Sequence, residues 1–270
     1  MRACNFVGVL AAALLAVLPS DHATAATIPF VEDFDDNAAP DFAFSSSNVG
    51  VTAAVASGVL TVDSVLNTGG QAINALVNIG NANGVPIVME TDITPTAWVA
   101  TGGSTAGFLA FSTNPALGAF PGGVNSGYLA DITFATSTNT GTIRIFDNAS
   151  VTTLLQSAQF PAGALALTET YHLKFTATPG LGGVLDLSLT ITDTAGTLID
   201  DDGIVTISGS TPAAASTGTF FGYRHRVGNN GANRTFDAVY DNFSLVPEPG
   251  SFALIGMSMV GLLAIRRKRK

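Results

Sequence analysis

Cysteine is almost absent from this chain: Cys4 is the one example in 270 residues, which rules out a disulfide framework. Charge is scarce as well. Asp, Glu, Lys and Arg make up 11% of residues against 47% hydrophobic, which excludes a disordered acidic tail or a coiled coil. Cations are the scarcer sign, with 11 Lys and Arg against 20 Asp and Glu and a formal charge of −9, so nucleic acid is disfavoured as a partner. The histidines are three, His22, His172 and His225, too few with one cysteine to assemble a zinc site of nitrogen and sulfur ligands. Twenty-nine glycines and twelve prolines fall short of a collagen-like or low-complexity composition, so the chain is expected to fold around one large core.

Long apolar runs are confined to the two ends. Met1 and Arg2 precede an apolar run from Phe6 to Leu18, then Pro19 and a polar stretch closing in Ala23-Thr24-Ala25. That order predicts a secretory signal peptide over residues 1–25, cut after Ala25 or Ala26. Cys4 lies upstream of the apolar run, where a lipoprotein anchor cannot form, and it leaves with the signal. At the other end Ser251 to Ile265 carries no charge and is followed by Arg266-Arg267-Lys268-Arg269-Lys270. At about 1.5 Å per residue the run spans roughly 23 Å, a short transmembrane helix against a hydrocarbon core of about 30 Å. The five cations are expected to stay cytoplasmic, placing everything before Pro247 across the membrane.

The box Val246-Pro247-Glu248-Pro249, the apolar helix and the arginine-rich end, in that order, resemble the PEP-CTERM sorting signal of exopolysaccharide-producing Gram-negative bacteria. The resemblance implies that an exosortase in the inner membrane recognises the box, cleaves near it and passes the protein to the cell surface or extracellular matrix. Pro247 and Pro249 would keep the box extended and accessible to a peptidase. With Arg2 and Asp21 cancelling in the signal and five cations leaving with the tail, the formal charge moves from −9 to −14.

Between residues 27 and 246 the apolar pattern has period two. Leu185, Leu187, Leu189 and Ile191 alternate with Asp186, Ser188, Thr190 and Thr192; Leu173 and Phe175 alternate with His172, Lys174 and Thr176. The turn-rich Thr178 to Gly183 joins these two strands as a hairpin. Further strands are predicted at 59–63, 72–79, 85–93, 107–112, 128–134, around Ile143 and Ile145, and at 151–158, 219–227 and 236–245. With no convincing helix among them, the fold class is all-β: one antiparallel two-sheet jelly-roll sandwich of about 220 residues.

The opening Phe30 to Asp36 and the closing Val239 to Leu245 resemble the first and last strands of the concanavalin A-like jelly roll of lectins, laminin-G-like modules and some glycanases. The resemblance implies that these two strands pair side by side. Laminarinase-type members carry a Glu-x-Asp-x-(x)-Glu strand; here Glu90 and Asp92 are followed by Thr94 and Pro95, so the second glutamate, and with it the acid of a glycosidase, is missing. No Gly-x-Ser-x-Gly marks a serine hydrolase. No catalytic residue is assigned.

Two candidate binding sites stand beside plainer readings, in which the arginines neutralise neighbouring aspartates on a strand surface and the lone tryptophan packs in the core or a loop. Pairing of the terminal strands would gather Glu32, Asp33, Asp35 and Asp241, with Asp36 and Asp237 nearby, as oxygen ligands for a structural calcium. Asp200-Asp201-Asp202-Gly203 lacks the spacing of a calcium loop and reads as a solvated turn. Of the five cations outside the two end segments, Arg144, Lys174, Arg224, Arg226 and Arg234, three fall within eleven residues. Arg224, Arg226 and Arg234 would grip carboxylate or sulfate, while Tyr223 and Trp98, with Tyr128, would stack on sugar rings, a set suited to an anionic exopolysaccharide. The expected function is a noncatalytic matrix or surface module that binds exopolysaccharide. A structural biofilm component without a ligand, and a glycan-cleaving enzyme with an unrecognised site, are the alternatives.

Overall fold

Among the described residues, alternating apolar side chains form fifteen strands in two antiparallel sheets. The computed structural model describes residues 29–46, 51–64, 71–80, 82, 84–99, 104–114, 127–135, 140–147, 153–160, 164–193, 206–211, 218–227 and 235–247. The signal segment, the apolar tail with its basic end, Arg234 and the Asp200 to Asp202 run lie outside them. Among the described residues no helix is long and apolar enough to cross a membrane.

One sheet contains β1 (Phe30–Glu32), β3 (Val51–Ala56), β4 (Val59–Ser64), β6 (Ile87–Val99), β11 (Tyr171–Pro179), β12 (Leu185–Asp193), β13 (Thr206–Ser210) and β15 (Thr235–Pro247), in the order β13-β12-β11-β6-β15-β4-β3 with β1 also on β15. The other contains β2 (Phe42–Ser46), β5 (Gln71–Asn78), β7 (Ser104–Ser112), β8 (Tyr128–Ala135), β9 (Thr140–Asp147), β10 (Thr153–Gln159) and β14 (Phe220–Val227), in the order β10-β9-β8-β7-β14-β5-β2. The only helical turn among the described residues is a 3₁₀ turn at Leu181–Gly183, in the predicted hairpin between β11 and β12.

Strands β1 and β15 pair antiparallel, Phe30 opposite Leu245 and Glu32 opposite Phe243, as the jelly-roll resemblance implied. Three strands escaped the sequence pattern. β2, β3 and β13 are short, rich in Ala, Ser and Thr, and lie at sheet edges, where only one neighbour constrains their faces. β6 runs on through Pro95, which the pattern treated as a stop. Pairing with β11 ends at Ile93 and a bulge in β15 falls beside Pro95, so its missing N–H breaks no ladder; its carbonyl accepts from Thr168 N–H at 2.8 Å. β15 likewise includes Pro247, opposite Ile87, two residues past its expected end.

The core lies between the sheets. At one end Tyr223 stacks on Phe42 at 5.9 Å and meets Tyr240 at 4.7 Å and Phe243 at 5.0 Å; at the other, Phe134 contacts Trp98 and Phe236. β14 is distorted to fit. Gly222 takes φ +149 at a bulge against β7, and a Cβ there would lie 2.2 Å from the Ala75 carbonyl oxygen.

Candidate ligand-binding face

The outer faces of the two sheets differ. On the eight-stranded sheet, cross-strand hydroxyl pairs such as Thr176 with Ser188 and Thr190 with Thr206 mark a wet surface. Glu90 and Asp92 lie there, each directly opposite a partner on β11: Glu90 meets Lys174 at 2.8 Å and Asp92 meets His172 Nδ1 at 2.9 Å, while Asn242 donates to the second Asp92 oxygen. Both carboxylates are thus engaged at the surface of an open sheet, Glu90 in an ion pair and Asp92 in hydrogen bonds. Glu90→Gln or Lys174→Gln is expected to change unfolding free energy by less than about 1 kcal/mol in urea denaturation, because exposed pairs contribute little.

The outer face of the seven-stranded sheet carries a row in which every strand contributes one residue. Register places Ser45, Asn74, Arg224, Gly107, Asp131, Arg144 and Ser157 side by side. Arg144 forks onto Asp131 through Nε at 2.8 Å and Nη2 at 2.7 Å and lies over the Phe146 ring. Asn74 Oδ1 accepts from Arg224 Nη1 at 3.5 Å. Gly107 is forced: a Cβ would lie 2.2 Å from the Ala130 carbonyl oxygen, and its bareness leaves no side chain between Arg224 and Asp131. The next row includes Arg226, Thr105, Thr133 and Thr142; the row on the other side is apolar, with Leu76, Leu109, Leu129 and Phe146.

This row is largely removed from water. Asn74 is 0% exposed, Asp131 1% and Arg224 5%, whereas Arg226 and Arg144 are half-buried. Burial and the neighbouring Arg226 lower the Arg224 pKa to about 10, with Asp131 acting the other way. Burial also lowers that of Arg226, with Asp131 opposing and Arg144 reinforcing the shift.

The expected ligand set is divided by this geometry. Arg224 and Arg226 share the outer face, but Tyr223 points the other way, 2% exposed, its hydroxyl 2.9 Å from Thr91 Oγ1. Trp98 and Tyr128 are also core residues, 8% and 1% exposed. None of the three offers a ring face to a sugar, which corrects the expected aromatic platform. Period two contained the warning: in one strand Tyr223 cannot face the same way as Arg224 and Arg226. Sequence reasoning missed Asn74 and Asp131; the signal was a polar residue amid apolar neighbours, as in Ala72-Ile73-Asn74-Ala75-Leu76 and Leu129-Ala130-Asp131-Ile132.

The acidic segments at the two ends of the jelly roll do approach one another. Burial raises the Asp241 pKa, with Asp92, Asp35 and Asp33 adding to it, and burial raises that of Glu32, with Asp36, Asp33 and Asp41 adding. Their oxygens serve the backbone: Glu32 accepts from Phe34 N–H, Asp33 from Asp35 N–H and Asp241 from Asn242 N–H. Asp237 is held by Ser64 through both its N–H and hydroxyl. Among the described residues no three His, Cys, Asp or Glu side chains converge closely enough to hold a metal ion.

Residues 245–269 match the PEP-CTERM protein-sorting motif. The chain carries a PEP-CTERM sorting signal. The fold upstream of the signal is the jelly roll of the legume lectins. Lectin II from Ulex europaeus superposes with a TM-score of 0.50 at 15% identity, covering 82% of this chain and 99% of the lectin. The legume lectin-like domain from Entamoeba histolytica gives 0.51 at 10% identity over 77% and 90% of the two chains. The metal-free lectin I-B4 from Griffonia simplicifolia gives 0.50 at 11% identity over 82% and 100%. At these identities the likeness is one of fold. No curated protein matches the sequence.

Proposed function

We propose that this PEP-CTERM protein is exported through the inner membrane, held there transiently by its apolar tail, processed by an exosortase and delivered to the cell surface or matrix, where its jelly roll binds exopolysaccharide without cleaving it. The sorting signal supports the itinerary, because an uncharged run capped by five cations is a stop-transfer element preceded by a proline-rigid box. The observation that carries the binding role is the polar row across the seven-stranded sheet. The half-buried Arg226 at the margin of that row is a guanidinium donor of the kind that suits the acidic groups of an exopolysaccharide. The noncatalytic reading rests on Glu90 and Asp92, which are engaged by Lys174 and by His172 and Asn242 on the opposite sheet.

Two measurements test this. Intact-mass analysis of the protein from its native host is expected to give a C-terminus near Pro249; retention of Lys270 would remove the processing step. Incubation with the host's exopolysaccharide is expected to give cosedimentation without any fall in polymer size. No cosedimentation would leave a structural matrix component, and depolymerisation that disappears in Glu90→Gln would make the protein a glycanase.

A further inference from the structure

We propose that the end of the jelly roll where β15 finishes rests on the lipid surface of the inner membrane while the tail is inserted, with Leu181 and Val85 entering the headgroup region. The contact rests on the reading of Ser251 to Ile265 as a membrane span and adds how the folded domain stands upon it.

Three observations carry it. First, the sheet runs almost into the span: β15 is paired as far as Pro247, opposite Ile87, and Ser251 opens the uncharged run four residues on. Fully extended, those four steps reach at most about 14 Å, whereas the 13 residues of β15 alone are roughly 43 Å long. The domain therefore cannot hang clear of the bilayer, and this is the end that comes down. β1 begins at the same end, Phe30 lying opposite Leu245, so the segment after the signal peptide enters where the tail leaves. Second, register brings two turns to this end. Ile87, which opens β6, is opposite both Pro247 and Ala177, so residues 79–86 and the Leu181–Gly183 turn flank the point where β15 stops. Leu181 is 96% exposed, the most exposed large hydrophobic side chain among the described residues, and Val85 is 37% exposed. Gly182 and Gly183 take φ +78 and +82, and a Cβ on either would meet nothing within 4 Å, so this turn stands in open space. Third, neither turn is charged: residues 79–86 and 180–184 hold no Asp, Glu, Lys or Arg. Among the described residues the carboxylates toward this end, Asp41, Asp147 and Asp186, lie in or beside β2, β9 and β12 and not in the two turns. An acidic domain approaches an anionic leaflet most easily through uncharged tips. A leucine and a valine hold a bilayer only weakly, since even one long acyl chain binds reversibly, so removing the tail frees the domain.

The test uses the full chain in a Cys4→Ser background, reconstituted in vesicles of phosphatidylethanolamine and phosphatidylglycerol and isolated by flotation. An environment-sensitive fluorophore is placed on Leu181→Cys, Val85→Cys or Val99→Cys, the last 56% exposed at the opposite end of β6. Lipid-borne spin labels are expected to quench the probes at 181 and 85 at least about twofold more than the probe at 99. Leu181→Asp is expected to leave flotation and melting temperature unchanged, because the side chain is exposed, and to remove most of the quenching at 85. Quenching at 99 equal to or stronger than that at 181, in protein that floats, overturns the contact and leaves tail anchoring standing. A blue shift at 181 that grows with protein concentration and ignores the spin labels would seat a second copy there and overturns it equally. A chain that does not float overturns the span and the contact with it.

Discussion

Tyr223→Ala is expected to destabilise the jelly roll by about 4 kcal/mol, the cost of removing a large aromatic from a close-packed interior. For a domain of this size that corresponds to roughly 10 °C in melting temperature, readable by circular dichroism. The ring is 2% exposed and touches Phe42, Tyr240 and Phe243, so its loss opens a cavity where β14 of one sheet meets β15 of the other. Its hydroxyl shares a hydrogen bond with Thr91 Oγ1, which also donates to the Asp241 carbonyl. Tyr223→Phe keeps the packing and is expected to cost about 1 kcal/mol, the net value of one buried hydrogen bond. Burial raises the Tyr223 pKa well above the ordinary phenol value and so favours the neutral hydroxyl. A Tyr223→Ala protein that melted like the wild type and lost only glycan binding would return the residue to the surface role suggested by its neighbours in sequence.

Stability is also expected to fall by roughly 3 kcal/mol as pH drops from 6.5 to 4, through His225. This imidazole is 1% exposed, lies 4.6 Å from the Phe236 ring in a stacked arrangement, and uses both nitrogens. Nε2 must carry the proton, because it faces the Phe236 carbonyl oxygen at 2.8 Å; Nδ1 then accepts from the Tyr240 hydroxyl at 2.8 Å. Burial lowers the pKa to about 4, against the smaller opposing effects of the Phe236 carbonyl and Asp237. The unfolded chain therefore takes up a proton near pH 6.5 that the native protein refuses until about pH 4. Across that interval the unfolded state binds more protons, so stability declines with falling pH and levels off below it. Glu32, Asp63 and Asp241 have raised carboxyl pKa values and work in the opposite direction, nearer the ordinary carboxylate range. The histidine is therefore best isolated between pH 6.5 and 5. Urea denaturation across that interval should show the decline in the wild type and a much flatter profile in His225→Gln, whose amide can occupy the same two hydrogen bonds without titrating. A decline of equal size in the variant would assign it to other groups.

These two residues show how far a linear reading goes. Both lie in Phe220 to Val227, a segment the sequence singled out as a strand with clustered cations. Phe221, Tyr223, His225 and Val227 are the inward set and Gly222, Arg224 and Arg226 the outward set, so a period of two already separates the aromatic from the arginines. Grouping them as one ligand set followed proximity along the chain where parity was the stronger guide. The hairpin of β11 and β12, by contrast, was readable in full because both strands are long and alternate without exception, whereas the short edge strands β2 and β3 carry too little contrast between their faces.

The amino-acid order by itself determined the all-β class, the near absence of thiols, the acidic charge and the sorting signal, because each is a property of composition or of residues adjacent in the chain. Only the tertiary structure decided that Asn74, Arg224, Asp131 and Arg144 stand in one row, and that Glu90 and Asp92 face solvent on the other sheet. The reason is that lateral register comes from hydrogen bonds between strands far apart in sequence, and a slip of one residue in any of them would turn that strand's side chains to the opposite face.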